Sequence, residues 1–591
     1  MLDNPASQVY IPQSNKFQQE LDYYDKLHSQ KYRDKNQTKL QHADLLSERL
    51  SSDYTHKCKL YDILSNDRFL PAGRVQAAMG ATEREVSPFN CSVSQQIKDS
   101  IDSIMAAQYN AVKILRLGTG IGYNFSHLRP TGALIKKLQT GSSGPLSFMK
   151  GFDVYAAAIA SAGHRRGAQM GILNVDHPDI ENFINAKMEK GAFTTFNFSV
   201  GITDTFMYAV DKDLDWELKF EGQVYTTIRA KYLWEKIINN AYLSAEPGII
   251  FIDRLNDTNN LHYCEHIEAT NPCSEQPLPP YGLCTLGSFN LVAYICEGRD
   301  GRIKFLHDNF KRDIPVIVEA YDNIFDVAKY AIPEHENEAN NKRRIGLGLT
   351  GISNAIEFLL GKPCYGEDDF CGEFNYIAKT LAVESYMAST ELAKKRGAFP
   401  YYNKDQYLSS KFIQSLPEEV QIAISDHGIR NSHLVSYAPC GTISQCAGNV
   451  SSGVEPVFYH SMVRDVHMKD GKEKVTINDF IYRHTGFKCK TLEECSIKDH
   501  MNVAEIAQRW CDSAVSKTVN VASNCPYEEY EQVYKDAHGL GLKGITVYRP
   551  SEIRGSVIVK AEENKPEPIG APNVSEPAYI SGQCANGVCT M

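Results

Sequence analysis

The feature that most constrains the fold is the alternation of short apolar runs with long helical stretches between residues 81 and 555. Three short runs are typical of buried strands: G-I-L-N-V (171–175), F-N-F-S-V (196–200) and K-G-I-T-V-Y (543–548). Helical periodicity covers four longer stretches: 101–116, 315–331, 374–396 and 502–519. Strands that alternate with helices predict an α/β architecture with largely parallel strand pairing.

Composition divides the chain into three parts. Residues 1–80 are polar and predict a helical N-terminal region, and residues 81–555 form the main domain. Residues 556–591 are rich in Pro, Glu, Ser and Gly, which predicts a flexible tail. The tail carries Cys584 and Cys589 almost at its end. A tethered thiol pair of this kind is a redox arm, half of a zinc site or an incidental feature.

Charge and cysteine usage exclude several classes of protein. The net charge is -10 and there is no dense Lys/Arg stripe, so a nucleic-acid polymer is not the expected main partner. A polar N-terminus and the lack of a run of about 18 apolar residues predict no membrane segment and a cytoplasmic location. The 16 cysteines include no C-x-x-C pair, so no metal site is predicted.

The segment N-P-C-S-E-Q-P-L-P-P places an amide, a thiol and a carboxylate at alternating positions: Asn271, Cys273 and Glu275. Four prolines between 272 and 280 disfavour a helix and favour a rigid, extended loop. In extended backbone these three side chains point to one face. The segment therefore predicts a reaction surface.

Two glycine-rich stretches resemble nucleotide-binding loops only superficially. Gly346, Gly348 and Gly351 have the spacing of a dinucleotide fingerprint, but polar residues precede them instead of an apolar strand, so tight helix packing is expected. The stretch G-T-G-I-G (118–122) is interpreted in the same way. In contrast, A-P-C-G-T-I-S (438–444) offers consecutive N–H groups and two hydroxyls, which suit either a phosphate or a simple helix cap.

Many short motifs occur in a fixed order along almost the whole chain: F-L-P-A-G-R, N-C-S with D-S-I-D-S-I after it, S-S-G-P-L-S-F-M-K, R-R-G-A-Q-M-G-I-L-N-V-D-H-P-D-I, N-P-C-S-E-Q-P-L, I-G-L-G-L-T-G, A-P-C-G-T-I-S, S-S-G-V-E-P-V-F, S-K-T-V-N and G-L-K-G-I-T-V-Y-R. In these motifs the sequence resembles the catalytic subunit of ribonucleotide reductases. The resemblance implies a ten-stranded α/β barrel with a finger loop in its centre, here N-P-C-S-E. It also implies the synthesis of deoxyribonucleotides for DNA replication.

The resemblance assigns roles in the reaction to individual residues. Cys273 matches the cysteine that becomes a thiyl radical and removes the ribose 3′ hydrogen. Glu275 matches the base that accepts the 3′-hydroxyl proton, and Asn271 matches the amide that hydrogen-bonds the substrate hydroxyls. A dry site protects a radical sulfur, and a carboxylate beside the sugar can act as a general base.

The resemblance also assigns the redox cysteines and the nucleotide contacts. Cys91 and Cys284 match the pair that reduces the 2′ position and ends as a disulfide, and the tail pair Cys584 and Cys589 matches the one that reduces this disulfide again. The expected substrate-binding residues are Asn90, Asn197, Ala438, Pro439, Gly441, Thr442, Ile443 and Ser444. The expected residues for a dNTP effector are Asp99, Lys136, Lys137, Arg165 and Arg166. Without the resemblance, the two arginines are interpreted as a helix cap.

One departure concerns the source of the radical. Class I subunits receive it through two adjacent tyrosines, but here Val547 precedes Tyr548. This favours the class II enzymes, which use adenosylcobalamin. One alternative is a class I-type subunit with a separate metal-containing partner, and another is an inactive nucleotide-binding regulator. A second departure is Cys440, where the family pattern has threonine.

The expected partners are a ribonucleotide substrate, dNTP effectors and a thioredoxin- or glutaredoxin-type reductant. Three questions stay open at this level: a diphosphate or a triphosphate substrate, a monomer or a homodimer, and the effector specificity. No nucleic-acid polymer and no membrane is expected as a partner.

Overall fold

The computed structural model describes residues 18–159, 167–189, 191–468 and 471–550. Its helices are α1 (Gln18–Tyr32), α2 (Lys39–Leu50), α3 (Tyr54–Ser65), α4 (Gly73–Met79), α5 (Ile101–Arg116), α6 (Gly144–Ala158), α7 (Ile180–Asn185), α8 (Asp204–Asp211), α9 (Ala230–Ser244), α10 (Ile252–Asp257), α11 (His307–Val327), α12 (Pro333–Lys342), α13 (Ile352–Leu360), α14 (Asp368–Arg396), α15 (Lys404–Leu408), α16 (Lys411–Ser415), α17 (Glu418–His427), α18 (Gly441–Cys446), α19 (Phe480–Thr485), α20 (Ile497–Arg509) and α21 (Tyr527–Gly539). Its strands are β1 (Phe69–Pro71), β2 (Cys91–Val93), β3 (Gly120–Asn124), β4 (Leu134–Ile135), β5 (Thr140–Gly141), β6 (Gln169–Asn174), β7 (Phe196–Ile202), β8 (Asp215–Phe220), β9 (Gln223–Arg229), β10 (Gly248–Phe251), β11 (Ala269–Thr270), β12 (Pro277–Leu278), β13 (Leu283–Asn290), β14 (Ile295–Glu297), β15 (Ile303–Phe305), β16 (Ile345–Thr350), β17 (Ser461–Met468), β18 (Gly471–Asn478), β19 (Thr518–Asn520) and β20 (Gly544–Tyr548).

The described strands form a 10-stranded sheet in the order β1-β13-β2-β3-β6-β7-β10-β20-β19, with β16 also paired to β13. Parallel bridges join Leu347 of β16 to Val435, and Tyr437 to Val515 in the segment that leads into β19. The hydrogen-bonded order therefore returns to its start and forms a ring. These findings confirm the expected α/β class and the ten-stranded sheet.

The ring consists of two parallel halves. Strands β2, β3, β6, β7 and β10 run parallel to one another, and so do β20, β19, residues 435–437, β16 and β13. The two halves meet in antiparallel pairs at β10–β20 and at β13–β2. Parallel neighbours require crossover connections, which the helices between the strands supply.

The hydrophobic core has layers outside and inside the ring. One outer cluster packs α5 to α9 and α21 against the first half, and a second packs α1 to α4 and α11 to α14 against the other half. A smaller cluster lies around β11 and β12 and includes Cys91, Cys284, Met170 and Ile250. Because β11 and β12 contact residues from both halves of the ring, they lie inside it.

Most predicted elements are present, with two corrections. The helix predicted from residue 315 begins earlier, at His307, so that Pro315 lies inside α11. Burial of the apolar face that includes Ile314 and Ile317 stabilises the helix by more than the cost of about 3 kcal/mol for an interior proline. The helix predicted over 502–519 ends at Arg509. Residues after it turn back to pair with Tyr437, so tertiary pairing overrides the apolar period there.

In the described part of the N-terminal region, helices α1 to α4 are joined by strand β1, which belongs to the sheet. Helix α1 is fixed to α19 by a buried ion pair between Glu20 and Arg483, at 2.7 Å. No helix in the described ranges combines the length and the apolar character that crossing a membrane requires.

Candidate active site

The predicted finger is a tight turn between β11 and β12, and the expectation of an extended loop was wrong. Asn271 closes this turn, because its Oδ1 accepts a hydrogen bond from the Gln276 N–H at 2.9 Å. The Asn271 N–H donates to the Gln276 carbonyl at 3.1 Å. Ser274 has a φ of 65°, which no extended strand contains. Asparagine side chains often replace backbone groups in turns in this way.

Two glycines of β3 allow the finger to approach the sheet closely. A Cβ on Gly122 would lie 1.7 Å from the Thr270 carbonyl oxygen, and one on Gly120 would lie 3.1 Å from the Pro272 ring. These glycines belong to the G-T-G-I-G stretch. Glycine at alternate positions of an apolar strand is a signal for close backbone approach, and it could have identified this contact from the sequence.

Other parts of the ring hold the finger from further directions. The Asn197 amide on β7 donates to the Pro272 carbonyl at 2.9 Å. The Glu275 carbonyl accepts from the Ser436 hydroxyl and from the Ala514 N–H, both at 3.0 Å. Hydrogen bonds to both halves of the ring fix the turn at its centre. The roles of Ser436 and Ala514 were missed, because nothing in their local sequence indicates them.

Gly346 and Gly348 of I-G-L-G-L-T-G lie in β16 and Gly351 is the N-cap of α13, so the expected helix packing was wrong for the first two glycines. A Cβ on Gly348 would lie 2.6 Å from the Ser436 carbonyl oxygen, and one on Gly346 would lie 2.8 Å from the Gln276 amide. The polar residues before Gly346 do not prevent a strand here, because β16 is buried between two neighbours.

The finger brings its functional groups together with the first redox cysteine. The Asn271 amide donates to the Cys91 sulfur at 3.0 Å, and the Cys91 thiol donates to Glu275 Oε1 at 3.6 Å. Cys273 is half-buried, whereas Cys91 and Cys284 are fully buried. The site therefore places one accessible thiol beside an enclosed group of an amide, a carboxylate and a second thiol.

Glu275 has the electrostatic character of a general base. Burial raises its pKa to about 7, although hydrogen bonds from Asn271 and Cys91 act in the opposite direction. Its Oε2 is buried without a hydrogen-bond partner in the described chain, and so is Oδ1 of Asn90. Buried polar atoms are normally hydrogen-bonded, so these two oxygens are suited to accept hydrogen bonds from a ligand.

Cys91 and Cys284 lie directly opposite each other in the antiparallel pair of β2 and β13. Opposite residues in such a pair have Cα atoms about 4.5–5.5 Å apart, within the range of about 4.4–6.8 Å that a disulfide requires. Both thiols are reduced here. Burial raises the pKa of each well above its usual range. The sheet register thus permits this pair to form a disulfide.

The expected phosphate-binding stretch begins a helix at the end of a ring segment. Helix α18 starts at Gly441, and Cys440 at its N-cap makes no side-chain capping bond within the described chain. The N–H groups of a first helical turn lack partners in the helix and attract anions. Ala438 and Pro439 are half-buried, and the remaining expected residues are buried: Gly441, Thr442, Ile443 and Ser444.

Cys440, which stands where the family pattern has threonine, keeps polar contacts. Its sulfur lies 3.2 Å from the Ser288 hydroxyl, and its N–H donates to the Ser452 hydroxyl at 3.1 Å. The thiol therefore fits this position without disturbing the start of α18.

Those expected effector residues that the structure describes lie at an outer edge of the ring. Asp99 Oδ2 accepts from Arg129 Nε at 2.6 Å, just before α5. Lys136 and Lys137 are exposed between β4 and β5. Four expected residues lie outside the described ranges: Arg165, Arg166, Cys584 and Cys589.

Comparisons with known proteins agree on one family. The family model "Ribonucleotide reductase, barrel domain" matches residues 89–548. A "Vitamin B12-dependent ribonucleoside-diphosphate reductase" of Mycobacterium tuberculosis is 33% identical over 526 residues, which are 83% of this chain and 71% of that protein. The protein of the same name from Thermoplasma acidophilum is 34% identical over 505 residues, 80% of this chain and 63% of that protein. A "Vitamin B12-dependent ribonucleotide reductase" of Streptomyces avermitilis is 25% identical over 539 residues, 77% and 55% of the two chains.

Proposed function

The chain belongs to the ribonucleotide reductase family, and from this premise we propose that it reduces ribonucleoside diphosphates to deoxyribonucleotides by thiyl-radical chemistry that adenosylcobalamin initiates. The family match confirms the resemblance seen in the sequence motifs. The relatives described above are named as vitamin B12-dependent, which supports the expected class II cofactor. Two of them are named as diphosphate reductases, which favours a diphosphate over a triphosphate substrate.

The observation that carries the proposal is the enclosed group around the finger. Glu275 is buried with one unpartnered oxygen in the described chain and a pKa of about 7, and Cys91 contacts it. A pKa near neutrality is the best value for a general base at physiological pH. A buried carboxylate held in this way costs free energy, so its position is explained by a function in the reaction.

When bound, adenosylcobalamin supplies the one-electron chemistry that oxidises a thiol to a thiyl radical. The described residues fit such a cofactor at Cys273, which is half-buried and so is the partly exposed thiol among the three of the site. The other site thiols, Cys91 and Cys284, are enclosed. Cys273 is accordingly the residue that meets the cofactor.

The residues of the site then divide the reaction among them. Cys273, as a radical, takes the 3′ hydrogen of the ribose, and Glu275 accepts the 3′-hydroxyl proton. The 2′ hydroxyl leaves as water after it receives a proton. Cys91 and Cys284 together supply two electrons and two protons, one proton to that water and one to the 2′ carbon, and become a disulfide. Glu275 returns its proton to the 3′ oxygen, and Cys273 returns the hydrogen atom to the 3′ carbon.

Substrate binding is assigned to the groups around this centre. The N–H groups at the start of α18 and the hydroxyl of Thr442 provide donors for a phosphate, whereas the Ser444 hydroxyl already donates to the Gly441 carbonyl at 3.1 Å. The Asn90 oxygen provides an acceptor for a sugar hydroxyl. Asn197 lies at the same site, but its amide nitrogen already holds the Pro272 carbonyl, so it positions the finger.

Regulation and assembly are assigned to the outer edge. Ile101, Met105 and Tyr109 form an exposed apolar stripe on α5 at i, i+4 and i+8, here called the α5 stripe. An apolar stripe of this kind is suited to pairing with the same stripe of a second copy in a homodimer. The α5 stripe begins two residues after Asp99, so a dNTP effector bound there would lie at the dimer interface.

The tail and its reductant remain predictions. Cys584 and Cys589 lie outside the described residues, and we propose that they pass electrons from a thioredoxin- or glutaredoxin-type protein to the disulfide in the ring. A cytoplasmic location, where such reductants keep thiols reduced, also remains a prediction.

The test is the reduction of CDP and CTP by the purified chain with dithiothreitol and dNTPs, with and without adenosylcobalamin. We expect deoxynucleotide only with the cofactor, and faster turnover of CDP than of CTP. Turnover that requires an added metal-containing subunit would instead support the class I alternative.

A matched variant separates an enzyme from a nucleotide-binding regulator. Cys273→Ala should abolish product formation and leave the binding of CDP and dNTPs unchanged, because only the radical carrier is lost. A wild-type chain that binds nucleotides but forms no product with cofactor or partner subunit would support the regulator.

A further inference from the structure

The two thiols of the ring pair, Cys91 and Cys284, differ in one feature of their electrostatic surroundings. Every charged or thiol group that acts on Cys91 raises its pKa, with Glu275 the largest after burial. Cys284 has a cation beside it: after burial, the largest influence on its pKa is Arg344, which lowers it, while Asp512 and Glu275 raise it. Glu275 therefore raises the pKa of both thiols, but of the two it is Cys284 that has a guanidinium among its main influences.

The strand register explains this asymmetry. In the parallel pair of β13 and β16, Thr285 lies beside Ile345. Extending this register by one residue places Arg344 beside Cys284, on the side opposite to Cys91. Neighbouring positions across paired strands carry their side chains on the same face of the sheet. Cys91, Cys284 and Arg344 therefore form a row across three adjacent strands.

Arg344 is held rigidly in this row. It is buried, its NH2 group donates to Glu265 Oε1 at 2.6 Å, and its Nε donates to His433 Nδ1 at 3.2 Å. His433 is neutral, because burial lowers its pKa well below the usual range and Arg344 lowers it further. Glu265 Oε2 also forms an ion pair with Lys342 Nζ at 2.8 Å. The carboxylate next to Arg344 is thus partly neutralised by a second cation.

We propose that Arg344 is a positioning residue for the reduction of the Cys91–Cys284 disulfide, in which it stabilises Cys284 as the leaving thiolate and so directs the attacking thiolate to Cys91. This inference rests on the proposed function for the role of the disulfide. Its physical basis is general: a disulfide breaks most readily at the sulfur whose thiolate is the better leaving group.

The geometry of approach favours the same direction. Cys91 contacts Asn271 and Glu275 of the finger, and therefore faces the cavity where substrate binds. The Cys284 thiol instead donates to the Thr285 carbonyl of its own strand at 3.4 Å. A thiolate that enters through the substrate cavity meets the Cys91 sulfur first.

The exchange balances as two steps. A thiolate of a dithiol reductant attacks the Cys91 sulfur, forms a mixed disulfide with it and releases Cys284 as a thiolate, which then takes a proton. The second thiolate of the reductant attacks its own sulfur in the mixed disulfide and releases Cys91, which also takes a proton. The protein gains two electrons and two protons, and the reductant becomes a disulfide.

The test uses the whole chain without cofactor or substrate. The protein is oxidised with diamide, treated with dithiothreitol for defined times and quenched with N-ethylmaleimide, and the Cys91 and Cys284 peptides are quantified by mass spectrometry. We expect Arg344→Gln to slow the reduction about threefold or more, because loss of the guanidinium raises the pKa of the Cys284 thiol further and makes its thiolate a poorer leaving group. In a parallel reaction with 2-mercaptoethanol, the mixed disulfide should be found on Cys91.

Two variants separate this role from a structural one. Arg343→Gln removes the neighbouring buried arginine, whose Nε lies 2.6 Å from Asp322 Oδ1. Because this arginine is not paired with the thiols, the variant should leave the reduction rate unchanged. Arg344→Lys retains a cation and should restore most of the rate. If Arg344→Gln alone does not fold, Arg344→Gln with Glu265→Gln also removes the carboxylate that has lost its arginine partner and serves as the test variant.

The pH dependence of Cys284 alkylation distinguishes an electrostatic role of Arg344 from a purely structural one. In the reduced protein, the alkylation of Cys284 by N-ethylmaleimide should shift to a higher pH in Arg344→Gln and return in Arg344→Lys. Equal reduction rates in Arg344→Gln and wild type, or a mixed disulfide found on Cys284, would overturn the inference. Because no step requires turnover, the result is independent of whether cobalamin supports catalysis.

Discussion

The interior of the ring and its outer edge at α5 differ in how far their functional candidates are exposed to solvent. Inside, Glu275 is fully buried and the backbone of the finger touches the glycines of β3. At the edge, Ile101 is 61% and Tyr109 is 62% exposed. The interior excludes water and so sets the pKa of a carboxylate, whereas the edge leaves apolar surface for another molecule.

This difference predicts which property of the protein a substitution in each region should change. A change in the interior alters reacting groups or their positions, and its effect should not depend on assembly. If the proposed homodimer and effector site lie at the edge, a change there should alter association and the response to effectors and leave the chemical step intact. Three variants test this division, in order of decreasing effect on catalysis.

The largest effect is expected from Glu275→Gln. The variant retains the size of the side chain but cannot accept a proton, so the turnover rate should fall about 1,000-fold, within the usual range for a general base. In wild type, the rate should rise with pH through about 7 as Glu275 ionises, and this limb should disappear in the variant. The measurement is kcat for CDP between pH 5.5 and 8.5.

Thermal unfolding provides the control for Glu275→Gln. The pKa of Glu275 is about 7 in the fold against an ordinary 4.5, so wild type loses stability as pH rises from 4.5 to 7. The variant should therefore unfold at an equal or higher temperature than wild type at pH 8. A lower unfolding temperature at pH 8 would mean that the loss of activity reflects a damaged fold.

A smaller effect, still in the interior, is expected from Gly122→Ala. The added Cβ would overlap the Thr270 carbonyl, and the finger must shift away from β3. A displacement of about 1 Å should reduce kcat about 100-fold, and the overlap should cost about 3 kcal/mol of unfolding free energy.

The matched control for this variant is Gly372→Ala in α14. Apart from its own helical turn, no atom of the described chain lies within 4 Å of its added Cβ, so this variant should be as active as wild type and more stable by up to about 1 kcal/mol. An active Gly122→Ala enzyme would show that the finger does not need its close contact with β3.

The smallest effect on catalysis is expected from Met105→Asp at the edge. A charge in the α5 stripe should weaken a homodimer by about tenfold or more, because a carboxylate must leave water when two stripes meet. Sedimentation should detect the shift to monomer, while turnover without effector stays near wild type. Ile422→Asp on α17, also an exposed apolar position, is the control and should not change the oligomeric state. An unchanged assembly in Met105→Asp would remove the α5 stripe from the proposed interface.

Local sequence predicted the regular elements well. Periodicity over 101–116 gave α5 with its observed bounds, and the apolar runs at 196–200 and 543–548 lie in β7 and β20. The order of family motifs indicated the barrel class and the residues of the finger. These features depend on neighbouring residues, whose spacing is directly visible in a sequence.

Long-range contacts decided the rest. The turn of the finger, the pairing of Cys91 with Cys284 and the row that ends in Arg344 each join segments far apart in the chain. The same is true of the pKa of Glu275, which depends on burial by strands from both halves of the ring. The sequence by itself determined which elements form and which groups can react. Only the tertiary structure decided which groups meet and how dry they are, because strand register and burial arise when distant segments pack together.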